Sequence, residues 1–158
     1  MKRLLLYLCF IVISMHYLSA QSHVASAKDM AKRAKKEAKN FKKNGWNIAV
    51  GDAPIEKQLE KYFQYATALT DDGYDKYMIS TAINSSNSYN SALTQAMQSC
   101  RANTSMRIES EKKALQMSNG THSTLRVPDL DRPIVLVKVH RIKNGLTEIM
   151  LQCAYPFE

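Results

Sequence analysis

Ala27, Ala31, Ala34, Ala38 and Phe41 recur at spacings of four, three, four and three. That is the period of one helix face, and it predicts a helix over residues 26–44. Ser26, with Asp29 three residues on, resembles a capping box. Asn44-Gly45 is a helix stop, because glycine accepts the left-handed conformation there. "WNIAVG" then has a strand-like look. Asp52 as cap, with Pro54 in the first turn, predicts a second helix. Its apolar face is Ile55, Leu59, Tyr62, Phe63, Ala66 and Leu69, and it runs to about Thr70.

"TDDGY" is a turn, and Asp71, Asp72 and Asp75 lack calcium-loop spacing. Tyr77 to Ile83 is rich in β-branched and aromatic residues and predicts a strand. "NSSNSYNS" supplies loop and cap residues. From Tyr89, the series Ala92, Leu93, Ala96, Met97, Cys100, Thr104, Ile108 and Leu115 follows a helical face. This predicts a long helix ending near residues 118–120.

"PIVLVKVHRIKNGLTEIMLQCAYP" contains two strand-like runs joined by Asn144-Gly145, the strongest short hairpin signal. With those two residues as the loop, Lys143 pairs with Leu146, Arg141 with Glu148 and Val139 with Met150. Alternation then places Leu136, Ile149, Leu151 and Cys153 on one face. It places Val135, Val137, Val139 and Met150 on the other. Both faces carry apolar residues, so the hairpin is covered on both sides. The expected fold is α+β. Its core is an antiparallel sheet of β-α-β-β order with a long helix packed on it. A basic N-terminal helix and a second helix precede that core.

Residues 1–20 change the setting. Lys2 and Arg3 precede an apolar run, Leu4 to Val12, and Ala20 is a small residue suited to the position before a cleavage point. This is the tripartite pattern of a secretory signal peptide. The run is only about half of the ~20 residues a spanning helix needs. "LSA" is followed by Gln21, and Cys9 lacks a small residue before it, so no lipid anchor is expected. The expectation is an exported protein, periplasmic or at the outer-membrane periphery. One domain would cover residues 21–158, with the basic helix at 26–44 and the core at 46–158.

Charge adds one feature. The net charge is +8, of which Lys2 and Arg3 contribute two. Residues 28–43 hold eight bases and two acids, and residues 44–158 hold twelve of each. The whole charge of residues 21–158 therefore sits on one helix-sized segment. Lys32, Arg33, Lys35, Lys36, Lys39, Lys42 and Lys43 form a candidate contact for an anionic lipid, lipopolysaccharide or an acidic envelope protein. The plainer alternative is a solvated helix docked by its alanines. Nucleic acid is not an expected partner, because export removes it and no aromatic-rich surface accompanies the basic block.

His23, His122 and His140 lack ligand spacing, and no nucleophile elbow, phosphate loop or C-x-x-C occurs. Ser118, Thr121, His122 and Ser123 cluster in a polar stretch that suits a loop. No catalytic, metal or cofactor residue is assigned, and no enzyme activity is expected. Cys100 and Cys153 are a possible disulfide, since both lie on apolar faces of elements that pack together. A bridge would close a loop of about 54 residues. Two buried free thiols are the alternative.

The basic helix ending "KNGW", the phrases "APIEKQLEKYF" and "DDGYDKYM", and the closing "KNGLTEIMLQCAY" resemble a group of small exported Bacteroidetes proteins. Between Tyr74 and Tyr155 the plan is similar to the β-α-β-β domain of Helicobacter-type conserved outer-membrane lipoproteins. It is also similar to that of the N-terminal domain of flagellar assembly protein T. The resemblance implies an envelope or interaction module with no catalytic residues to carry over. The chain departs from it in lacking the lipidated Cys and in being short between Leu115 and Pro133. The expected function is a non-enzymatic, envelope-associated binding module. The alternatives are a structural subunit of an envelope assembly and a small hydrolase with an unrecognised site.

Overall fold

Asn144 and Gly145 both take positive φ, 53° and 77°. That is the backbone a two-residue hairpin turn requires. The strands on either side pair as expected, Lys143 with Leu146, Arg141 with Glu148 and Val139 with Met150. Arg141 Nε meets Glu148 Oε2 at 2.6 Å across the pair. In this computed structural model, residues 26–117 and 125–157 are described. Residues 1–20, whose pattern suggests a signal peptide, His23 and residues 118–123 lie outside them.

The elements are α1 (Ala27–Lys43), α2 (Ile55–Ala66), β1 (Tyr77–Ser86), α3 (Tyr89–Met117), β2 (Ile134–Lys143) and β3 (Leu146–Pro156). The sheet is antiparallel with order β1-β3-β2. The protein is α+β, as the pattern predicts, and the long helix α3 lies on one face of the sheet. On the opposite face, α2 packs mainly over β2, and α1 packs on α2 alone.

Alanines let α3 approach closely. Ala92, Ala96 and Cys100 pack with Ala82, Ile149, Leu151, Cys153 and Tyr155. On the other face Ile55, Leu59 and Phe63 meet Leu136, Val137, Val139, Met150 and Ala154. Ala34, Ala38 and Trp46 complete that cluster.

Five expectations are corrected. A bulge between Val135 and Val137 shifts the register of β2. Val135 therefore faces α3, while Leu136 and Val137 both face α2. A bulge inserts one extra residue, so simple alternation fails beyond it. Asp52 does not cap α2. Pro54 holds that position, and Asp52 instead pairs with Lys138 Nζ at 2.8 Å. α2 ends at Ala66, where Thr67 Oγ1 donates to Phe63 O at 2.8 Å. The segment after α1 is no strand, since only Asn47 bridges to His140. Conversely, β1 runs on to Ser86, through residues whose composition suggests a loop.

α1 is built as expected. Asp29 N–H donates to Ser26 Oγ at 3.2 Å, and Ser26 Oγ donates to Asp29 Oδ2 at 2.7 Å. Its far end is clamped to the hairpin. Arg141 Nη1 donates to Asn44 O at 3.1 Å, and its guanidinium lies 4.3 Å from the Trp46 ring centre. Ala27, at the start of the stripe, is exposed, so docking rests on Ala34, Ala38 and Phe41.

Leu151 is fully buried in the central strand, whereas Ile142 on β2 is 69% exposed. Leu151→Ala should lower the urea-unfolding free energy by about 2–5 kcal/mol. Ile142→Ala should change it by no more than about 0.5 kcal/mol.

Candidate functional site

An α-helix advances about 100° per residue. On that wheel Lys28, Lys32, Lys35, Lys36, Lys39 and Lys43 fall within an arc of about 100°. Neither acid of α1, Asp29 or Glu37, lies inside it. The buried Ala34 and Ala38 lie on the far side of the helix. The docking stripe thus turns the lysine stripe to solvent, and all six of these lysines are exposed.

The seven basic residues expected to act together have divided roles. Lys32, Lys36, Lys39 and Lys43 have no ion pair or hydrogen bond among the described residues. Lys28, absent from the expected set, joins them on the same arc. Lys42 instead pairs with Glu56 on α2 at 3.0 Å. Lys35 adds its field to the same carboxylate. Arg33 stacks on Phe63, 4.7 Å from the ring centre, and so serves the α1–α2 contact. The helical period could have separated Arg33 and Lys42 from the rest, because both fall outside the lysine arc.

Three hollows lie elsewhere on the described surface, none of them lined by α1. One, of about 310 Å³, lies between α2 and β2 and is lined by Asp52, Lys57, Gln58, Lys61 and Lys138 among others. Asp52 already neutralises Lys138 there, and Lys61 Nζ donates to Val135 O at 3.4 Å. A second, of about 410 Å³, is bordered by Arg126 stacked on Tyr74 and Phe157. The third, of about 210 Å³, is lined by Met97, Leu130 and the Arg101–Asp131 ion pair. None of the three holds a nucleophile beside a base.

Cys100 and Cys153 do meet. Both thiols are fully buried between α3 and β3, and they are unbridged. Cys100 Sγ also lies 3.9 Å from Ser80 O and 3.8 Å from Leu151 O. The contact with Cys100, together with burial, pushes the Cys153 thiol well above its ordinary range. Cys100 O accepts from Ser80 Oγ at 3.0 Å and from Thr104 Oγ1 at 2.9 Å. Burial also pushes the Tyr155 hydroxyl up. That hydroxyl lies near Thr104, whose own proton is committed to Cys100 O, and it is left without a hydrogen bond. This interior layer fixes α3 along the sheet.

His140 meets Tyr89 edge-on at 5.5 Å, and its Nδ1 is buried without a partner. Among the described residues, no group of three His, Cys, Asp or Glu side chains converges as a metal site would. No described helix is long and apolar enough to cross a membrane. No family model, curated protein or solved structure matches the chain.

Two outcomes follow from these contacts. A thiol reagent applied to the native protein without denaturant should label Cys100 and Cys153 slowly, and both should react at once after unfolding. The Glu56 carboxyl is held below its ordinary value of 4.5 by its own backbone N–H and then by Lys42. A depressed carboxyl pKa contributes stability that is complete above pH 4.5 and lost as the pH falls through the lowered value. The melting-temperature gap between wild type and Glu56→Gln should therefore be largest above pH 4.5 and close in stronger acid.

Proposed function

We propose that the chain is a non-enzymatic, exported binding module of a bacterial envelope that contacts anionic surfaces through α1. One observation carries this reading. An acid-free lysine arc faces solvent, turned away from the alanine stripe that docks the helix. Four of its lysines, Lys32, Lys36, Lys39 and Lys43, have no salt-bridge partner among the described residues, so their charge is not neutralised within the chain.

The physics of such a contact is additive and weak. A lysine near an anionic membrane contributes roughly 1 kcal/mol. Six on a helix about 25 Å long suffice for reversible attachment without insertion. Screening at high ionic strength removes most of it. The resemblance to exported Bacteroidetes proteins and the tripartite residues 1–20 support the envelope setting. A second reading, a structural subunit of an envelope assembly, takes support from one observation, the uncovered outer edge of β1.

Changing Lys32, Lys35, Lys36 and Lys39 to Gln should weaken binding to anionic vesicles by about 4 kcal/mol in total at low salt. The melting temperature should hardly move, because exposed charges contribute little to stability. Vesicle co-sedimentation reads the first quantity. A wild-type protein that ignores anionic vesicles at low salt would overturn the proposal.

A further inference from the structure

The two edges of the sheet are treated differently. The outer edge of β2 is closed. Lys138 N–H donates to Gln58 Oε1 at 2.7 Å, and Lys61 Nζ reaches Val135 O at 3.4 Å. His140 exchanges both backbone bonds with Asn47, at 2.9 and 2.8 Å. The bulge and Lys138 lie on the same strand. These are the devices by which proteins blunt an edge.

The outer edge of β1 has one such contact and is otherwise open. Phe157 N–H donates to Lys76 O at 3.1 Å, which sets the phase of the β1–β3 ladder. In that phase Met78, Ser80, Ala82 and Asn84 bond toward β3. Ile79, Thr81, Ile83 and Ser85 turn their N–H and C=O groups outward. Of these, only Thr81 O has a described partner, Asn103 Nδ2 at 3.1 Å. A carbonyl keeps a second lone pair. The strand reads YMISTAINSS, with no charge and no proline, and it is unbulged against β3. α2 does not cover its second half, where Ile83 is 53% exposed.

We propose that this edge pairs antiparallel with the same edge of a second copy of the chain, joining two three-stranded sheets into one. Cover by α2 selects the register. Tyr77, the first outward residue, packs against Tyr65 of α2 with ring centres 4.6 Å apart, so the uncovered stretch begins at Ile79. Pairing Ile79 with Ser85 of the second copy, and Thr81 with its Ile83, uses each outward residue once and nothing beyond. The two-fold axis then passes at Ala82. The two Ile83 side chains flank it diagonally, within reach of one another.

Charge selects the occupant. A neutral strand opposes a neutral strand, so no like charges meet across the pair. The excess positive charge sits on α1, which packs on α2 over the β2 side. Two copies therefore join without bringing their lysine arcs together. Beside the edge, α3 presents the short side chains of Ser99 and Asn103. Both are bonded onto the strand, Ser99 Oγ by Asn84 Nδ2 at 2.9 Å.

Sedimentation equilibrium of the purified protein, joined to amide hydrogen exchange, tests this. The expected result is a dimer at both about 0.1 M and about 1 M salt, since the contact is uncharged. Amides of Ile79, Thr81, Ile83 and Ser85 should be protected in proportion to dimer, whereas those of Ser80, Ala82 and Asn84 should be protected at every concentration. Ile83→Lys should weaken the dimer at least tenfold. Ser85→Lys should act in the same direction if the first variant folds poorly. Ile142→Lys, on the closed edge, should leave the dimer intact. A monomer with exposed outward amides, a dimer dispersed by salt, or a dimer unaffected by Ile83→Lys and Ser85→Lys in the folded protein would each overturn the proposal.

Discussion

The double pairing of β3 is the constraint on which the fold depends. Among the described residues it is the only strand with a neighbour on each side. Ile149, Leu151, Cys153, Ala154 and Tyr155 are all fully buried along it. Residues on one face of β3 pack under α3, and those on the other lie under α2. Every remaining element is placed by reference to this strand, and α1 is placed only at second hand, through α2. The Arg141–Glu148 pair and the Asn144-Gly145 turn hold β2 in register against it.

This hierarchy explains why the proposed contacts sit at the periphery. The interior polar layer of Ser80, Cys100 and Thr104 is satisfied within itself, with Cys100 O accepting from both hydroxyls. It fixes the helix to the sheet and presents nothing outward. Inside, the Tyr155 hydroxyl and His140 Nδ1 are buried without partners. The unmatched groups open to solvent lie on the outermost helix and the outermost strand. α1 offers charge without partners, and β1 offers backbone donors and acceptors without partners. α1 packs on α2, which lies mainly over β2, whereas β1 is the strand at the other edge of the sheet.

Much of this was legible in the residues. The hairpin register followed from Asn-Gly, because only one loop length suits that dipeptide. The lysine and alanine faces of α1 followed from the helical period, as did the Ser26 cap. The bulge at Val135–Val137 left no trace, because three successive apolar residues fit either face. Asp52 looked like a helix cap because it stands two residues before Pro54, yet Lys138, far away in sequence, claims it. β1 outran its apolar signal because Asn84, Ser85 and Ser86 pair with Ile149, Glu148 and Thr147 on β3. Tertiary pairing there overrides weak strand propensity. An edge without a neighbour is likewise invisible in sequence, since it is a property of strand order.

The asymmetric attachment of α1 has a consequence for how the molecule opens. At its C-terminal end, Asn44 and Trp46 are tied to Arg141. Toward its N-terminus it rests on Met30, Ala34, Ala38 and one Arg33–Phe63 stack. Alanines remove little apolar area from water, and among the described elements α1 packs on α2 and not on a strand. Loosening that end would therefore leave both ladders of β3 in place.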